Sequence, residues 1–279
     1  MLNHLTIAVR DDASPRCPHP TSPELSVLVP TRNEAANIEE LLHRISTAVA
    51  GIPTEVVFLD DSDDAAPDVI RTVARRGDGG TCQLSLLRRQ GAQRTGGLAG
   101  AVVDGLRAAR APWACVLDAD LQHPPEGIPR LLGKANRDGV DLVVASRYCQ
   151  QGRAEGLGLV RRLISTASTS AARMLFPRRL RGVTNPMSGF FLVRPDAVDL
   201  DALRPRGFKI LLELLVRCRA LRRAEVAFVF APSRRGEQGL GAGRPELPPV
   251  ALRVALGSRT CSRPAVTGVP AVEPLVPLL

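Results

Sequence analysis

Aromatic side chains make up 3% of this 279-residue chain, with a single tryptophan and a single tyrosine. Its basic residues are therefore not interleaved with the flat surfaces on which nucleic-acid bases stack, and a nucleic-acid role is set aside. Cysteines stand at 17, 82, 115, 149, 218 and 261, with no C-x-x-C pair among them. They read as small core residues of a reduced, cytosolic protein, so neither a disulfide frame nor a zinc site is expected. No apolar run reaches the roughly 18 residues a spanning helix needs. The N-terminus also lacks the basic-then-apolar order of a secretory signal. Neither a Walker A loop nor a G-x-G-x-x-G fingerprint occurs. What is present is an ordinary hydrophobic content of 44% and a formal charge of +9, carried mostly by arginine. That charge points to an anionic partner: phosphorylated substrates or the surface of a membrane.

Apolar runs of strand length alternate with helical spacing along most of the chain. Strands are expected at Leu25–Val29, Glu55–Leu59, Leu84–Arg88, Ala114–Leu117, Asp141–Ala145, Phe190–Val193 and Glu225–Phe230. Between them, Ile38, Leu41, Leu42, Ile45 and Val49 mark one helix face, with Asn33 as its expected cap. Leu98, Ala101, Val102, Leu106 and Ala109 mark another, entered through a glycine-rich loop that could cradle phosphate, with Arg94 adding charge. A third begins at Ile210. This alternation predicts an α/β domain over residues 24–238. Proline-rich residues 1–23 read as a flexible lead-in, and 239–279 as a low-complexity, disordered tail. Residues Leu157–Leu180 read as a basic amphipathic helix, suited either to an anionic bilayer or to core packing with a solvated basic face.

The stretch Ala114–Glu126, ACVLDADLQHPPE, organises the rest. An apolar strand stops at Asp118-Ala119-Asp120, and side chains two apart on an extended segment point the same way. Two carboxylates brought that close repel unless a cation lies between them. Mg²⁺ or Mn²⁺ would satisfy them and keep positions open for phosphate oxygens, with the Gln122 amide oxygen as a third ligand. The alternative is a solvated strand-end turn. A second strand ends in the acidic run Asp60-Asp61-Ser62-Asp63-Asp64. There Asp61 is the candidate acceptor for a base or ribose, and the other acids cap the next helix.

With these blocks in place, the chain resembles the dolichol-phosphate mannose synthase branch of glycosyltransferase family 2 over residues 25–237. VLVPTRNEAANI, FLDDSDD, GGLAGAVVDGL, LDADLQHPPE, DLVVASRY, NPMSGFFLVR and GFKILLELL carry the resemblance in that order. It implies a GT-A fold, a Rossmann-like mixed sheet flanked by helices in one catalytic domain. It also implies inverting transfer of mannose from GDP-mannose to a polyprenyl phosphate at the cytoplasmic membrane face. Related readings are transfer of glucose from UDP-glucose to undecaprenyl phosphate, and a catalytically impaired nucleotide-sugar binder. By the same resemblance Pro30, Arg32, Glu34, Asp61, Asp118, Ala119 and Asp120 bind the donor, with Arg32 where tyrosine is common. Asp118, Asp120 and Gln122 match the metal and diphosphate motif. Arg147, Arg161 and Ser165 match positions that hold the acceptor phosphate, with Arg234 or Arg235 a partial substitute, by a one-residue shift of the loop, for the arginine missing at Ser233. Ser188 lies in a loop near the reacting sugar. Asp120, Arg147 and Arg161 are the expected catalytic residues, and no general base is assigned. Ser233 and Gly239 stand where the family carries arginine and lysine. Many relatives continue into membrane helices, which leaves room for a partner protein that supplies them.

Overall fold

The computed structural model describes residues 22–148, 169–207, 209–228 and 270–275. Seven strands cover the expected runs within a few residues: β1 (Leu25–Thr31), β2 (Thr54–Asp60), β3 (Gln83–Arg88), β4 (Trp113–Val116), β5 (Leu142–Ser146), β6 (Phe191–Val193) and β7 (Arg223–Ala227). They form a sheet of order β7-β5-β6-β4-β1-β2-β3-β8, where β8 is Val272–Leu275. β4, β1, β2 and β3 run parallel. β6 lies antiparallel between β4 and β5, and β7 is parallel to β5.

Buried on both faces, β1 and β2 read as continuous apolar runs rather than alternating ones. The helices are α1 (Ile38–Ala48), α2 (Ala66–Arg76), α3 (Gly97–Ala108), α4 (Ile128–Asp138) and α5 (Ile210–Arg217). On one face Val27, Val29, Phe58, Cys115 and Val143 pack with Ile38, Leu42, Ile70 and Leu131 of α1, α2 and α4. The alternate residues Leu28, Val57, Val116 and Val144 pack on the other face with Val102 and Leu106 of α3 and Leu211 and Leu214 of α5. The period of two along each strand thus sorts the core into two layers.

Three expectations change. Asn33 does not cap α1: it takes a left-handed φ of 57° and leaves the cap position to Asn37. Instead Asn33 joins two loops, its N–H donating to Ser62 Oγ and its Oδ1 accepting from the Asp63 N–H. The helix expected to reach Leu180 is described over 169–175 and has ended before Pro177, whose ring disfavours helical backbone in the residue before it. Residues 157–168 lie outside the described residues.

The third change lies in the segment expected to hold no element, where β8 pairs antiparallel with β3. A four-residue run containing Pro274 carries little strand signal, and proline is tolerated there because β8 sits at the sheet edge. Arg71 of α2 grips it through a fork on both Glu273 oxygens, at 3.2 and 3.0 Å. Ending the chain at residue 269 should lower the melting temperature by about 3–6 °C, since each kcal/mol lost from a domain of this size shifts it by a few degrees. An unchanged thermal transition would show that β8 adds nothing to stability.

Candidate active site

Because β6 alone reverses among the strands between β7 and β3, the C-terminal ends of the parallel strands and the start of β6 share one edge. Ligands of open α/β sheets bind along that edge. Pro30 is buried within β1, and the loop after it carries exposed Arg32 and partly buried Glu34. The Asn37 amide donates to Glu34 Oε2 at 2.8 Å. Asp61 follows β2, its N–H donating to the Thr31 carbonyl. Asp118, Ala119, Asp120 and Gln122 follow β4, and Arg147 follows β5.

Asp118 is pushed up to about 7 by burial, then by the nearby anions Asp120 and Glu34, with Lys209 opposing. Leu121, between Asp120 and Gln122, has a φ of 60°, a strained value for a bulky residue. The Asp120 Oδ1 accepts the Gln122 N–H at 3.0 Å and closes this turn. Across the edge, Gly189 lies two positions before β6 and must lack a side chain: a Cβ there would lie 2.0 Å from Asp118 Oδ2. Ser188 is buried, its hydroxyl bonded to the Ala145 and Phe190 carbonyls at 2.9 and 3.1 Å. It therefore pins this loop to β5 and β6.

Two residues outside the expected set join the site. Lys209, at the start of α5, is lowered by burial, with Asp118 holding it up and Arg147 pressing it down. Its signal in the sequence is a cation heading an otherwise apolar run in Gly207-Phe208-Lys209-Ile210. His123 packs between the rings of Phe190 and Phe228, 5.8 and 5.7 Å between centroids. Burial, then Arg147 and Lys209, lowers it to about 3, so its imidazole is neutral. Its Nδ1 lies 3.5 Å from Asp118 Oδ2.

Lys209 thus acts on Asp118 and, with Arg147, on His123. Hard oxygens on Asp118 and Asp120, a proton affinity at Asp118 raised partly by the Asp120 charge, and a glycine clearing space beside Asp118 together fit a divalent cation. Among the described residues, no group of three or more His, Cys, Asp or Glu side chains could hold a metal unaided. Such an ion would need ligands from a substrate as well.

Asp61 belongs to a second cluster. Burial raises its pKa, opposed by Arg89, Arg94 and Arg32 in that order, with Asp60 adding to the rise. Arg89 is fully buried, 3.5 Å from Asp61 and 3.4 Å from Asp104. Its guanidinium also donates to the carbonyls of Gln93, Thr95 and Gly97. Arg94 points back to the β2 loop, bonding Asp63 at 2.7 Å and the Ser62 carbonyl at 2.8 Å. The glycine-rich loop expected to cradle phosphate meets protein backbone: a Cβ at Gly96 would lie 2.9 Å from the Pro205 carbonyl, and the Ala99 N–H donates to the Gly207 carbonyl. Arg161, Ser165, Ser233, Arg234, Arg235 and Gly239 lie outside the described residues.

Residues 26–200 match the family model described as glycosyl transferase family 2. A dolichol-phosphate mannosyltransferase of Pyrococcus furiosus is 38% identical over 218 residues, which are 78% of this chain and 59% of that protein. One from Mycosarcoma maydis is 34% identical over 239 residues, 79% of this chain and 74% of that protein. Among solved structures, glucosyl-3-phosphoglycerate synthase from Mycobacterium tuberculosis with Mn²⁺, UDP-glucose and phosphoglyceric acid superposes with a TM-score of 0.53. It shares 18% identity over 76% of this chain and 72% of that one, a likeness of fold, the GT-A arrangement of a mixed sheet between helices.

Proposed function

The chain belongs to glycosyl transferase family 2 and is a glycosyltransferase, and from that premise we propose that it moves mannose from GDP-mannose to the phosphate of a polyprenyl lipid. The observation that carries the reading is the placement of Asp118 and Asp120 in the turn after β4, with Gly189 clearing space beside Asp118 and Lys209 at the head of α5 acting on it. The named mannosyltransferase relatives favour mannose over the glucose alternative.

The donor would sit across the ends of β1, β2 and β4. Asp61, held beside Arg89, would accept hydrogen bonds from the nucleoside; Pro30, Arg32 and Glu34 would line that pocket. Asp118, Asp120 and Gln122 would hold Mg²⁺ or Mn²⁺, which when bound neutralises charge on the departing diphosphate. Arg147 would fix the acceptor phosphate, aided by Lys209 and, by family resemblance, Arg161, Ser165 and Arg234. A phosphate monoester is already anionic at neutral pH, so its oxygen attacks the anomeric carbon without a strong base. Positioning is the main demand, because two anions must be brought together. His123, neutral and wedged between two phenyl rings, keeps water from the back of the site rather than moving a proton.

Among the described residues no helix is long and apolar enough to cross a membrane. Met174 and Leu175 are nonetheless 83% and 44% exposed beside Arg173, Arg178 and Arg181. Apolar tips set among arginines suit the anionic face of a bilayer, where the lipid acceptor would lie.

Radiolabelled GDP-mannose and UDP-glucose, each offered with Mn²⁺ and a polyprenyl phosphate in detergent, test the proposal. The expected result is a mannose-labelled lipid whose formation stops on chelation. Label from UDP-glucose alone would replace the donor assignment, and nucleotide binding without transfer would leave a binder.

A further inference from the structure

Glu225, on β7, lies outside every group named so far, yet three donors converge on its carboxylate. Its Oε1 accepts the backbone N–H of Thr184 at 2.7 Å and of Asn185 at 3.2 Å. Its Oε2 accepts the Thr184 hydroxyl at 2.8 Å. The Thr184 and Ser146 hydroxyls are 2.5 Å apart. Since Thr184 gives its proton to a carboxylate oxygen, which only accepts, the Ser146 hydroxyl must donate to Thr184. Ser146 Oγ in turn accepts the Tyr148 N–H at 3.2 Å. The bonds therefore run in one direction, from the Tyr148 amide through Ser146 and Thr184 to Glu225.

Both ends of this chain reach the site. Ser146 and Tyr148 flank Arg147, whose guanidinium carbon lies 5.0 Å from the Tyr148 ring centre. Thr184 and Asn185 begin the loop that ends in Ser188 and Gly189, against Asp118. Asn185 and Ser188 are buried. A further bond, from Arg173 to the Val183 and Thr184 carbonyls at 3.0 and 3.1 Å, steadies the same turn from outside. A buried loop has few ways to satisfy its amides, and a carboxylate taking two of them holds it firmly.

We propose that Glu225 is a positioning residue for the acceptor phosphate: it fixes Arg147 at the end of β5 and the 184–189 loop in one register without touching substrate. The proposal rests on the acceptor role given to Arg147 above. Its distinctive consequence is a split between substrates, because the cluster around Asp61 shares none of these bonds.

The test compares the full chain with Glu225→Ala and Glu225→Gln. Initial rates are taken while GDP-mannose and polyprenyl phosphate are varied separately. Glu225→Ala is expected to raise the KM for polyprenyl phosphate about tenfold or more, as loss of a charged hydrogen-bond partner predicts, with the GDP-mannose KM within about twofold. Glu225→Gln should recover most of the loss, since its amide oxygen still takes two N–H donors and the hydroxyl pair can turn over. Equal rises in both KM values, or none in either, would overturn the proposal. Hydrogen exchange of the 184–189 peptide supplies a readout that needs no turnover. It should quicken in Glu225→Ala and return toward the parent in Glu225→Gln, and unchanged exchange also overturns the assignment. A parent protein that exchanges as expected yet transfers nothing to the lipid would instead refute the acceptor reading and leave the loop anchor standing.

Discussion

Asp120→Ala is expected to remove nearly all sugar transfer, a loss on the order of a thousandfold, because charge on a departing diphosphate would go unanswered. Asp118 is held up at about 7 partly by the Asp120 charge, so removing that charge relieves repulsion in the folded protein. The same substitution deletes the acceptor for the Gln122 N–H, a bond whose net contribution is about 1 kcal/mol. These effects oppose each other, and the metal-free variant should melt within about 3 °C of the parent. Mn²⁺ added on top of GDP, whose diphosphate would complete the ion's ligands, should separate the two. An ion that binds the folded state at a hundred times its Kd adds about 2.7 kcal/mol, so the parent's transition should climb while the variant's stays. Transfer above about a tenth of the parent rate, or a metal-induced shift equal to the parent's, would remove Asp120 from the metal site.

Gly189→Ala should be nearly as damaging, for a steric reason. The new methyl would fall 2.0 Å from Asp118 Oδ2 and 2.7 Å from its Cγ, closer than any real contact. Either the carboxylate swings away from Asp120 or the start of β6 retreats from β4. Displacement of a reacting group by about 1 Å can reduce rate by roughly a hundredfold, and that is the expected loss in kcat/KM. Overpacking should lower stability by about 1–3 kcal/mol, a fall visible in thermal melting. Mn²⁺ affinity, read by the same melting shift, should weaken, whereas GDP affinity measured without metal should stay near the parent's. Activity close to the parent's would mean that Asp118 does not need that space.

The inner strands β1, β2, β4, β5 and β6 were legible because they are buried runs, and burial on two faces leaves an uninterrupted apolar signature. The place of the Asp118-Ala119-Asp120 turn was legible too, since the apolar run that forms β4 stops just before it. What escaped reading depends on partners distant in sequence. Nothing in the text around Arg89 says that this arginine, rather than Arg88 or Arg94, turns inward to meet Asp61 and Asp104. The glycines at 96 and 97 resemble a phosphate loop until the backbone of residues 205–207 is seen against them. Asn33 has the right chemistry for a helix cap but is drawn instead to Ser62 and Asp63 on the next loop. Glu225 stood inside an expected strand with no sign that three donors would converge on it.

The reversal of β6 has a consequence for how such a chain can diversify. On the proposed reading, the walls around the leaving nucleotide would come from the first half of the polypeptide, up to Gln122, in strictly alternating units. The opposite wall is reached by an excursion of more than forty residues from Arg147 to Phe190 that departs from one strand end and returns to the neighbouring one. Insertions or exchanges in that excursion would leave the β4-β1-β2-β3 pairings in register, so on the same reading recipients could be swapped over evolutionary time while the sugar-activating half stays fixed.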